Sequence, residues 1–136
     1  GSWSDPARGR ELASRQFEGK ADIILLIAGG SGMGSIEEAA SRGKYVITVD
    51  SNALAMKPGV ILASFLKHID LLVYETIIKA FEGSLPFGSN SRVGISEGMV
   101  DYTRDDPLFI KYVPGEIRER IFQWYERIKS GGLPDF

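Results

Sequence analysis

Six apolar residues, Ile23 to Ala28, run directly into Gly29-Gly30-Ser31-Gly32-Met33-Gly34, and the chain then turns acidic and alanine-rich through Glu37, Glu38, Ala39 and Ala40. Few folds accept such a sequence. It reads as strand, tight turn and helix, with a strand expected over residues 21–28, apolar on both faces as in the middle of a parallel sheet. A short helix over 34–43 and a second strand over 44–50 complete a βαβ unit. That unit favours an α/β fold with a mainly parallel sheet flanked by helices.

Residues 4–19 carry the marks of a helix, with Ser4 or Asp5 as cap, Pro6 in the first turn and Gly19 as stop. A third strand is expected over 60–65, with 60–64 as its sheet portion. A long helix over 66–83 follows, its apolar face holding Ile69, Leu72, Val73, Ile77 and Phe81. Residues 84–91 are a loop by composition. Two short extended pieces are expected around Glu97-Gly98, then a final amphipathic helix between Pro114 and Gly131.

The 136 residues suffice for one small domain, and 43% hydrophobic with 25% charged residues is ordinary globular composition. Sixteen basic against eighteen acidic residues leave a net charge of -2. No basic stripe supports a nucleic-acid partner. The longest apolar run is too short to cross a bilayer. The absence of cysteine excludes disulfides and thiolate metal sites. No metal site and no cofactor is expected.

The glycine turn could serve several ligands. A phosphate-cradling Walker loop needs Lys and then Ser or Thr after its last glycine, and Gly34 is followed by Ser35 and Ile36. A dinucleotide fingerprint fits Gly30 and Gly32 but falls on Ser35 at its third glycine, with Asp50 standing where a ribose-binding acid belongs. A nucleophile elbow fails at Met33, and the single histidine, His68, is the one conventional base. What survives is geometric. Glycines at the carboxyl end of a parallel strand let a ligand approach the backbone, and Gly29 and Asp50 should emerge together where open α/β sheets bind ligands. A sharp turn and a loop-capping acid would explain each alone; the pair points to a carboxylate that binds sugar hydroxyls. A nucleotide-dependent enzyme stays open at this point.

Taken in order, Trp3-Ser4-Asp5-Pro6 with Gly9, Lys20-Ala21-Asp22, Ala28-Gly29-Gly30-Ser31-Gly32, Thr48-Val49-Asp50 and Ser64-Phe65-Leu66-Lys67 resemble the basic membrane protein family. These are substrate-binding lipoproteins of ABC transporters, the purine nucleoside receptors among them. Two departures stand out: Lys20 replaces the glycine of a Gly-Ala-Asp step, and Thr48 that of Gly-Val-Asp.

The resemblance implies a type I periplasmic-binding-protein fold, two α/β lobes closing over a ligand, with about half of the receptor represented here. Residues 1–65 would form the core of the second lobe without its first strand. Residues 66–90 would cross to the first lobe, and 91–136 would supply the hinge return and C-terminal helix. It further implies a nucleoside captured extracytoplasmically for an ABC permease, a lipid anchor outside this chain, and binding without catalysis. Carried over by position, Trp3 would stack on the base, Gly29 would offer its backbone, Asp50 would accept from the ribose diol and Lys67 would reach the sugar. A regulatory relative that has lost transport is the alternative within the family. Apolar surface meant for the first lobe would leave the chain prone to self-association.

Overall fold

The computed structural model describes residues 2–132; the outermost positions of the first and last expected segments, 1 and 133–136, lie outside the described residues. Helix α1 (Pro6–Glu18) is capped as its sequence requires: the Arg8 amide donates to Asp5 Oδ1 at 3.0 Å, and Pro6 occupies the first turn. Strand β1 (Ile23–Leu25) leads through a 3₁₀ turn (Gly29–Ser31) into α2 (Gly32–Arg42), and β2 (Tyr45–Asp50) follows. A second 3₁₀ turn (Leu54–Met56) precedes β3 (Ile61–Lys67), after which come α3 (Ile69–Phe81), β4 (Val100–Tyr102), α4 (Pro107–Tyr112) and α5 (Gly115–Lys129).

The four strands form one sheet in the order β1-β2-β3-β4. β1, β2 and β3 run parallel in the expected βαβ order, and β4 returns antiparallel to β3. The register pairs Ile24 with Val46 and Thr48 with Ser64, which sets these inward residues on one face, since side chains alternate along each strand. All four are buried. Ala13 and Phe17 of α1 with Ile36 and Ala39 of α2 complete the same core. The two helices lie unusually close. A Cβ at Gly34 would stand 1.8 Å from the Pro6 carbonyl oxygen, so only glycine permits this approach. At the β4 end, Tyr102 meets Phe109 and Tyr125 edge-on, with centroids 5.8 and 5.4 Å away.

Four expectations need correction. β1 is shorter than residues 21–28 and lies at the sheet's edge, with Ile23, Leu25 and Ile27 exposed, rather than buried on both faces. Its apolar run is that of a central strand, but among the described residues no strand pairs on its far side. β3 extends to Lys67 because β4 pairs with Phe65, Leu66 and Lys67. The following helix therefore starts at Ile69 instead of 66. Of the two extended pieces around Glu97, only the second is a strand; the first becomes a turn closed by the Gly94 amide donating to Glu97 Oε2 at 2.6 Å. Helix α4 went unanticipated although Asp106-Pro107 announces it: the Leu108 amide donates to Asp106 Oδ1 at 2.7 Å.

Candidate ligand site

Because β1, β2 and β3 are parallel, their carboxyl ends share one edge of the sheet, and that edge holds three of the four sequence-nominated residues. Gly29 opens the turn after β1, Asp50 ends β2 and Lys67 ends β3. Gly29 and Asp50 line a common cleft of about 230 Å³ together with Leu26, Met33, Thr48 and Ala53. Lys67 Nζ lies 2.6 Å from Asp50 Oδ1. Both side chains are more than half exposed, so the pair contributes little to stability in water. Its consequence is orientation: the ammonium holds one carboxylate oxygen and leaves lone pairs on the other for a hydroxyl-bearing ligand.

Asp50 has φ 78°. A side-chain-bearing residue in the left-handed region costs roughly 1–3 kcal/mol and persists only where the surroundings fix it. The conformation ends the ladder of β2 and turns the chain into the Ser51–Ala53 loop beside the cleft. Gly29 has φ 53° and meets a second constraint. A Cβ there would stand 2.9 Å from the Trp3 carbonyl oxygen and 3.4 Å from its ring atom Cε3.

Trp3 therefore packs beside the glycine turn, two residues ahead of the α1 cap. Ser31 stitches the segment in place. Its amide donates to the Trp3 carbonyl at 3.3 Å and its hydroxyl to the Ser2 carbonyl at 2.8 Å, while the Asp5 amide donates to Ser31 Oγ at 2.9 Å. The indole itself stays 68% exposed. It borders a small hollow with Ile27 and Ala28, and Ala28 also lines the cleft of Gly29 and Asp50. Trp3 is thus linked to the cleft of Gly29 and Asp50 through Ala28 and does not line that cleft itself.

Sequence reasoning missed the groups beneath the cleft. Thr48 of β2, Ser64 of β3 and Thr103 just after β4 are buried and joined by hydrogen bonds. Asn52 Nδ2 donates to Asp106 Oδ2 at 2.7 Å, joining the loop after Asp50 to the cap of α4. The polar run Asp50-Ser51-Asn52 was the available signal for a built loop. His68 stands at the amino end of α3, where its amide donates to the Met99 carbonyl. Among the described residues, no group of three potential metal ligands gathers.

The family model described as "ABC transporter substrate-binding protein PnrA-like" matches residues 1–133. Basic membrane protein D of Borreliella burgdorferi is 35% identical over 134 residues, covering 96% of this chain and 39% of that protein. Basic membrane protein A of Borreliella afzelii is 31% identical over 128 residues, covering 89% of this chain and 37% of its own length. The chain thus spans under two fifths of these curated relatives. In structure it is similar to a transcriptional activator of the comK gene from Bacillus halodurans, with TM-score 0.86 and 24% identity over 99% of this chain and 46% of that one. It is also similar to an ABC transporter solute-binding protein from Aeropyrum pernix K1, with TM-score 0.77 and 20% identity over 100% and 46%. These two likenesses bear on the fold alone.

Proposed function

Since the chain belongs to the PnrA-like substrate-binding proteins of ABC transporters, we propose that it supplies one wall of a nucleoside site in an extracytoplasmic, lipid-anchored receptor that serves an importer permease. The ribose diol donates to Asp50, Lys67 steadies that carboxylate and reaches the sugar, the indole of Trp3 covers a face of the base, and the Gly29 backbone approaches the ligand. The observation that carries this reading is the 2.6 Å contact between Lys67 and Asp50 at the rim of a cleft shared with Gly29. The residues of this wall perform binding without bond-making.

The second reading is a regulatory relative that has lost transport; a protein of the same fold is a transcriptional activator. Calorimetry separates the two. A receptor of the relatives' length that carries this chain should bind adenosine, guanosine or inosine, and Asp50→Ala should weaken binding by about 10- to 150-fold, equivalent to charge-assisted hydrogen bonds of roughly 1.5–3 kcal/mol. Equal affinity in parent and variant would remove Asp50 from the site. No heat with any of the three nucleosides would favour the regulator.

A further inference from the structure

Asp50 adopts a left-handed conformation, and its exposed carboxylate pairs with Lys67 at the neighbouring strand end. Besides the Asn52–Asp106 contact that ties the loop to α4, two hydrogen bonds around Asp50 meet at one buried atom. Ser64 Oγ lies 2.7 Å from Thr48 Oγ1 and accepts from the Ala53 amide at 3.1 Å. Thr48 precedes Asp50 by two residues and Ala53 follows it by three. A single hydroxyl therefore closes the segment 48–53 into a loop with Asp50 inside it.

Ser64 is suited to be the fixed point. It is fully buried, and its backbone is tied on both sides to Thr103, the residue after β4: the Ser64 amide donates to Thr103 Oγ1 at 3.0 Å, and the Thr103 amide donates to the Ser64 carbonyl at 3.1 Å. The donor arithmetic also closes. The Ala53 amide uses one acceptor lone pair of Ser64, and the remaining proton and lone pair let the contact with Thr48 run in either direction. No buried side-chain polar atom lacks a partner among the described residues.

We propose that Ser64 is a positioning residue for the ligand carboxylate: its hydroxyl latches the strand before Asp50 to the loop after it and so sets where the Asp50–Lys67 pair presents its free lone pairs. This rests on the reading of Asp50 as the ligand group. Without the latch the loop relaxes toward unstrained angles, and the carboxylate leaves its position while remaining chemically intact.

The test compares the parent chain with Thr48→Val, Ser64→Ala and the double variant T48V/S64A. The double variant matters because Ser64→Ala alone strands the Thr48 hydroxyl in the core and is the one at risk of not folding. In T48V/S64A both hydroxyls are gone from the sheet, whereas the Ala53 amide still lacks its acceptor. Amide hydrogen exchange read residue by residue should then show Ala53 exchanging roughly five- to tenfold faster, the change one net hydrogen bond supports. Val46 and Ile61 in the sheet should stay protected. The amide shifts of Asp50 and Lys67 should move, and Thr48→Val should leave Ala53 as in the parent. A purely structural hydroxyl pair predicts that in T48V/S64A Ala53 alone exchanges faster while the amide shifts of Asp50 and Lys67 stay at parent values, and that result would overturn the proposal. Nucleoside titration of a receptor of the relatives' length carrying the same substitutions keeps the two ideas apart. If the parent binds and the double variant binds equally well, the latch fails and the ligand reading stands. If the parent binds no nucleoside, the ligand reading fails, and the amide shifts of Asp50 and Lys67 still decide the latch.

Discussion

Asp50 combines an uncommon backbone conformation with an exposed acid, and the two make opposite demands on the residue. At φ 78° glycine relieves roughly 1–3 kcal/mol of strain and gives back about 0.5–1 kcal/mol through the freedom of its unfolded chain. Asp50→Gly is therefore expected to leave the chain as stable as the parent or more stable by up to about 2.5 kcal/mol. The same substitution should abolish the contact with Lys67 and weaken nucleoside binding as Asp50→Ala does. Urea unfolding checks the first half and calorimetry the second; a lowered urea midpoint would show that the conformation is not strained. Asp50 and Gly29 were legible in the sequence because a carboxylate and a glycine at neighbouring strand ends carry their own chemistry. The Ser64 hydroxyl was not. A serine inside an apolar run gives no sign of which amide it accepts from until the register of β2 against β3 is fixed.

Elements were legible where the signal is local and hidden where it depends on pairing. The cap of α1 and the stop of α2 are written within a few residues, and both form as read. The edge position of β1 and the extension of β3 to Lys67 depend on which strands pair, which no short window contains. The close approach of α1 and α2 is likewise a pairing property. It yields a sharp expectation: Gly34→Ala puts a Cβ 1.8 Å from the Pro6 carbonyl oxygen, forcing the helices apart at a cost of about 1–3 kcal/mol in thermal or urea unfolding. Unchanged stability would mean that α1 shifts freely. Helix α4 offers a pH test. Donation from the Asn52 amide group, followed by donation from the Leu108 backbone, holds the Asp106 carboxyl below its ordinary pKa of 3.8. Its folded-state value lies under the unfolded one, so its contribution is complete above about pH 4 and is lost as pH falls through the depressed value. Parent and Asp106→Asn should therefore differ in stability at pH 6 and converge toward pH 2. A constant difference across that range would remove Asp106 from the acid response.

At the scale of the molecule, the apolar surface exceeds what the described residues cover. Helix α3 has no buried residue, and Ile69, Val73, Ile77 and Phe81 are exposed, Phe81 to 88%. Each such side chain gains roughly 1.5–3 kcal/mol when buried. The edge strand β1 adds unpaired backbone groups with Ile23 and Leu25 exposed beside them, a surface that recruits further strands. The curated relatives are more than twice as long as this chain, and in a receptor of that length the remaining residues would be available to cover α3. Studied alone, the chain is expected to cover it with copies of itself, because contiguous apolar patches of this kind draw partners. Light scattering should then report a mass above that of the 136-residue monomer, rising with concentration. Val73→Lys with Ile77→Lys should return it toward the monomer, since both positions lie on the exposed helix and neither contributes to the core. The strand edge separates from the helix in the same measurement. If the double lysine variant still associates while a charged substitution at Leu25 does not, pairing at β1 drives assembly and α3 is incidental. A parent that stays monomeric at high concentration would mean that α3 folds back onto its own sheet in solution, and the expectation of association would fail with it.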